Sequence, residues 1–262
     1  MNTNKFFNVR RFWNLLRNDL LLNHKRYLFT LAGMIVVVFL FLVWDMTRTS
    51  HGYLRSQYTG FFFVLFIGIG AFIGSAFPLL SDKKDTCNYL LLPASVFEKY
   101  LVQFLICFVV FIPLALSIFW ADAHLARWTA SQYYSAQEIA VNIEKFQCAE
   151  LFHDLDAMSQ IVVFMGLFSI MAYLFSARLI FRRFALVKSV ILALLLMYLS
   201  VCVMVIFSHI FYPEIHGFKV EIKDFNVYGQ ITNSELWLAS IACISWLFFL
   251  PFGYFKLKEK QE

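Results

Sequence analysis

Glu150, His153, Asp154 and Asp156 lie within seven positions of one another and are the first residues to weigh for chemistry. Glu150 and His153 are three apart and would meet on one helix face. Two or three such groups can hold a divalent cation. No further ligand is fixed by spacing, so the group reads as a solvated acidic face and no metal site is assigned. His209 is the only histidine inside a predicted span, near its end, where an interface residue is the plain reading. The sequence contains no H-E-x-x-H and no G-x-S-x-G. None of the 10 glycines is followed by lysine, so the phosphate-cradling G-x-x-x-x-G-K-[ST] loop is absent. No catalytic residue and no cofactor is therefore expected in this chain.

The elements that would position any site are membrane helices. The chain has 262 residues, of which 61% are hydrophobic and 15% charged, with a mean hydropathy of +0.69. Soluble domains carry roughly 45–50% apolar and about 25% charged residues. The apolar stretches are long and unbroken, which points to helices and away from the short alternating strands of a barrel. The fold class is all-α, a polytopic membrane protein in a single domain over 1–262.

Residues 5–26 show helical periodicity. Phe6, Val9, Trp13, Leu16 and Leu20 share one side, with Arg10, Asn14 and Arg17 on the other. A basic amphipathic helix of this kind suits the plane of a membrane surface; a helix packed on a soluble partner is the alternative. Six spans are expected at about 27–46, 60–80, 100–120, 160–177, 189–212 and 236–255. The second contains Gly70 and Gly74, with Ala71 and Ser75 at the same spacing. Such a face of small residues lets backbones approach closely in lipid, either between two copies or inside one subunit. Pro113 falls inside the third span. The connection over 121–159 is polar and acidic, and its part from 137 to 158 is expected to form one or two surface helices. The connection over 213–235 has β-like alternation.

Charge sets the orientation. Of the 22 lysines and arginines, all but Arg48, Arg55, Arg127, Lys145, Lys219 and Lys223 fall on the side that holds both termini. Basic residues favour cytoplasmic loops, so both termini and the 81–99 connection are expected in the cytoplasm. The net charge of +5 is mostly this bias and implies no nucleic-acid partner. The span middles lack ionisable groups, so no proton or sodium relay is expected.

The segment SDKKDTCNYLLLPASVFEKYL, residues 81–101, carries a charge cluster, a leucine run and then Leu92, Pro93, Ala94, Ser95, Val96, Phe97 and Glu98. Together with the basic lead LLRNDLLLNHKRYLF it resembles the permease subunits of type-2 ABC transporters, in the short form found in Bacteroidetes-type bacteria. The resemblance covers residues 6–101, and the rest matches by span count. In this chain the larger external segment lies between spans three and four; in the family it lies between five and six. The resemblance implies an elbow helix at 5–26 (Phe6, Trp13, Leu16, Leu20, Arg10, Arg17) and a cytoplasmic coupling element at 81–99. It also implies a bacterial cytoplasmic-membrane location, a second permease copy or paralogue, and a separate ATP-binding subunit that holds ATP and magnesium. Leu91, Leu92 and Phe97 would supply apolar anchors for that partner, with Asp82, Lys83 and Lys84 at the rim and Pro93 and Glu98 completing the motif. A loop lying on the lipid surface is the plainer alternative for the segment. For the whole chain, the competing reading is a structural or sensory multi-pass protein without transport activity.

Overall fold

The computed structural model describes residues 6–48, 57–80, 89, 92–136, 143–147, 156–181, 184–211, 226–228 and 231–260. Among them, six helices make the body of the protein: α1 (Val9–Arg48), α2 (Gln57–Ile73), α3 (Val96–Ala136), α4 (Ala157–Ile180), α5 (Ala185–Phe211) and α6 (Asn233–Glu259). All except α2 are long and apolar enough to cross a membrane. The protein is thus an all-α, multi-pass chain whose large apolar side chains face outward along most helices, Phe29 and Met197 among them. In water such exposure would drive aggregation; against lipid it costs nothing.

The expected separation of an in-plane helix over 5–26 from a span at 27–46 is not observed. One 40-residue helix runs through both. Its length of about 60 Å is twice the roughly 30 Å hydrocarbon layer. No proline lies in it and its first glycine is Gly33, and side-chain hydrogen bonds bridge the expected break. Asn23 donates to the Asp19 carbonyl and carboxylate (both 3.2 Å), and the Tyr27 hydroxyl donates to Asp19 at 2.7 Å.

The second span is shorter than expected. α2 stops at Ile73, and a single 3-10 turn, Pro78–Leu80, follows the bend. Gly74 and Pro78 bracket the break, and Phe77 sits at φ 53°. A bulky residue there is strained, and proline at the next position already bars it from the ordinary helical region.

The third span is longer than expected, because α3 continues to Ala136 and takes in the first part of the expected external segment. Its residues Leu105–Phe111 form π-helical turns just before Pro113. Proline has no N–H to give the preceding turn, and widening is one way a helix absorbs the loss. Within 137–158, Ile143–Gln147 is not helical. Ile143 and Phe146 are buried, with Phe146 edge-on to Phe119 at 5.2 Å. A short hairpin, Asn226–Tyr228 with Ile231–Thr232, leads into α6 and agrees with the alternation read in 213–235.

Two helix pairs carry the packing. α3 turns Ala115, Phe119, Ala123, Ala126 and Ala130, all almost inaccessible, into the core that Val38, Leu42 and Met46 of α1 share. The Tyr134 hydroxyl donates to the Met46 carbonyl at 2.9 Å. α4 and α6 are joined through Ser169 Oγ to the Ala242 carbonyl and Ser176 Oγ to the Phe249 carbonyl, both at 2.5 Å. Gly253 lies against Ser176 so closely that a Cβ would stand 2.8 Å from its Oγ. This is small-residue packing as lipid favours it.

Candidate functional site

The richest polar chemistry lies at one end of the bundle, where the start of α1, the bend after α2 and the start of α3 converge. It begins with a local signal. Ser95 is the N-cap of α3 and Glu98 its N3 residue, and both bonds of a capping box form. Ser95 Oγ accepts from the Glu98 N–H at 3.1 Å, and Glu98 Oε2 accepts from the Ser95 N–H at 2.9 Å.

The same two side chains then reach across the fold. Glu98 Oε1 accepts from the Asn8 N–H at 2.7 Å and from the Arg11 guanidinium at 3.1 Å. Ser95 Oγ donates to the Phe6 carbonyl at 2.7 Å. Asn8 Oδ1 accepts from the N–H groups of Arg10 (3.0 Å) and Arg11 (3.5 Å), capping α1 in turn. Glu98 is fully buried, yet its carboxylate accepts from three donors, which is what permits a carboxylate there. Aromatic rings close the junction. Phe97 stacks on Phe6 at 5.0 Å and meets Phe7 and Tyr254 edge-on, each at 6.2 Å. Tyr100 donates to the Leu250 carbonyl at 2.7 Å, so α6 is fastened to the same corner. Lys99, also fully buried, places its ammonium 5.6 Å from the Tyr89 ring centre.

A second polar layer lies deeper. Gln103 donates to Asp19 at 2.9 Å and accepts from the Phe77 N–H at 3.4 Å. Arg26 donates to the Ser75 carbonyl, and Arg178 Nε donates to the Ala76 carbonyl at 3.1 Å. The bend after α2 is therefore held from α1, α3 and α4 at once. The carbonyls released where α2 ends are the groups that need such donors.

The residues expected to form a coupling surface divide. Asp82, Lys83, Lys84 and Leu91 lie outside the described residues. Leu92 is half-buried against the core, and Pro93 is exposed. Phe97 and Glu98 turn inward onto the chain's own lead, so Phe97 does not stand clear as an anchor. Of the elbow residues, Phe6, Val9, Trp13 and Leu20 are exposed, whereas Leu16 is buried with Leu15 against Val102 and Ile106. Arg10 and Arg17 are exposed. The small-residue face packs within the subunit at two positions. A Cβ at Gly70 would meet Leu174 at 3.2 Å, and one at Gly74 would meet Leu186 at 3.0 Å. Ala71 is exposed, and Ser75 bonds back to the Phe72 carbonyl at 2.6 Å.

Asn8, Arg11, Asp19 and Arg178 were not singled out by sequence reasoning. Only the capping box, Ser95-x-x-Glu98, carried a local signal. Of the acidic cluster, Glu150, His153 and Asp154 lie outside the described residues, while Asp156 precedes α4 without a side-chain cap bond. Among the described residues no three metal-ligating side chains converge. Searches with the sequence and the structure match no family model, no curated protein and no solved structure.

Proposed function

We propose that this chain is the non-catalytic permease subunit of an ATP-driven exporter in a bacterial cytoplasmic membrane. On this reading it works beside a second permease copy or paralogue, and a separate cytoplasmic ATP-binding subunit hydrolyses ATP with magnesium. The observation that best supports the reading is the junction at Glu98. A connection that is to pass force from a soluble motor into a helix bundle must not yield where it is pushed. Here the corner before α3 is tied by Glu98, Ser95 and Phe97 to the residues that lead into α1 and to the last turns of α6. A push on the corner would tilt α1, α3 and α6 together.

Exposed Pro93 would face the motor, with Asp82, Lys83 and Lys84 as the rim that the resemblance implies. Phe97 and Glu98 would hold the corner's shape without touching the partner. The test is affinity purification of the tagged chain from its native membrane, with ATPase activity measured in the eluate. An ATP-binding subunit is expected to co-purify. Lys83→Glu with Lys84→Glu is expected to release it while leaving thermal stability unchanged. Recovery of the chain with no nucleotide-hydrolysing partner, or undiminished recovery of that partner with the double variant, would refute the proposal.

A further inference from the structure

A cavity of about 410 Å³ opens between α2 and α3 on one side and α4 and α6 on the other. Phe62 and Met171 of its wall are buried, while Phe164 is about half exposed. Phe66, Leu116 and Trp246 line the rest. The Trp246 indole Nε1 is enclosed by protein, so it is not offered to the cavity. The wall is thus hydrocarbon, aromatic ring and thioether.

Its depth follows from helix positions. Phe66 is the tenth of 17 residues in α2, and Trp246 the fourteenth of 27 in α6. Leu116 lies midway along the 41 residues of α3. The cavity is therefore at the middle of the helices that wall it, where a bilayer offers only the interior of its acyl chains.

We propose that this cavity is a binding site for one hydrocarbon chain of a membrane lipid. Its volume lies in the roughly 300–1,000 Å³ range of ligand pockets. Left empty it would forfeit the dispersion contacts of its whole lining. Apolar cavities of about 150 Å³ already stay dry and take up hydrocarbon. A polar ligand would find no hydrogen-bond partner in the wall and would be expelled. Met171 can adjust to a flexible chain, as thioethers do. A chain seated there would wedge α2–α3 apart from α4–α6, since it touches both. The site follows from depth and wall chemistry alone, so it stands or falls independently of the exporter reading.

The test uses the full-length protein in dioleoylphosphatidylcholine vesicles that contain a rising share of the same lipid brominated at mid-chain. Bromine quenches tryptophan fluorescence on contact. Trp13, Trp44, Trp120, Trp128 and Trp237 are replaced by Phe, leaving Trp246 as the reporter. A second protein carries Leu247→Trp with Trp246→Phe in the same background; Leu247 is exposed at the same depth and reports bulk lipid. Trp246, though partly enclosed, is expected to be quenched as strongly as the bulk reporter. Leu116→Phe, which narrows the cavity, is expected to weaken the Trp246 quenching and leave that of the bulk reporter unchanged. Weak quenching of Trp246, or quenching undiminished by Leu116→Phe, overturns the proposal. So does efficient disulfide formation between two copies through Phe164→Cys, which would assign the opening to a second chain. Should the multiply substituted protein misfold, native mass spectrometry of wild type against Leu116→Phe decides. Loss of one retained lipid in the variant supports the site, and equal retention refutes it.

Discussion

Where α1 meets α3, the helices are joined at one end by two buried carboxylates, each accepting from three donors. Where α4 meets α6, two serine hydroxyls bond backbone carbonyls, and Gly253 removes the side chain that would keep the helices apart. Both contacts hold helices together without relying on the hydrophobic effect, which is weak between helices in lipid. They differ in what can undo them. The carboxylate junction depends on every donor being present, because a buried polar group left without a partner bears its full desolvation penalty. The serine contact depends on distance, and a single added methyl group is enough to disturb it. On the exporter reading proposed above, the first suits a corner that would transmit force as one piece. The second suits a rigid half of the bundle, against which the other half can move.

The largest effect is expected at Glu98. Glu98→Ala leaves the Asn8 and Ser95 N–H groups and the Arg11 guanidinium without their acceptor. It should lower stability by about 3 kcal/mol, allowing for the partial exposure of Arg11. Thermal unfolding in detergent reads the loss, and protease cleavage before residue 12 should rise with it. Gln103→Leu comes next, at about 2 kcal/mol, since it strips one donor from Asp19 and the acceptor from the Phe77 N–H. An unchanged melting temperature in either variant would mean that these groups are hydrated, and the contrast with the serine contact would collapse.

Gly253→Ala should cost about 1–2 kcal/mol through crowding at Ser176. The comparison is sharpened by the double variant with Ser176→Ala. Removing the hydroxyl makes room for the new methyl, so the pair should be less damaging than the sum of the two. Strict additivity would show that the helices had already moved apart. Tyr27→Phe removes one of three bonds to the Asp19 carboxylate and is expected to cost about 1 kcal/mol. Arg17→Ala, on the exposed side of α1, should change stability by less than about 0.5 kcal/mol.

The bundle was legible because lipid imposes a simple rule. Long apolar stretches must become helices, so 160–177, 189–212 and 236–255 fall within α4, α5 and α6, apart from Tyr212, which lies outside the described residues. The breaks were less legible, because they depend on where released backbone groups find partners. Residues 74–80 are apolar enough to continue a span, yet α2 ends at Ile73, where Arg26, Arg178 and Gln103 supply the bonds that a helix would otherwise make internally. Similarly, the basic lead looked like a separate surface helix until Asp19 and Tyr27 tied it into α1.

Residue order alone determined the class of the protein, the positions of its apolar helices and the capping box at Ser95 and Glu98, since each follows from neighbours within a few positions. Only the tertiary structure decided that Glu98 serves the first residues of the chain, 90 positions away. Only it decided that Gly70 and Gly74 receive leucines from α4 and α5 of the same subunit. A buried charge is tolerable only where donors arrive from several directions, and no local pattern records which distant segments will bring them.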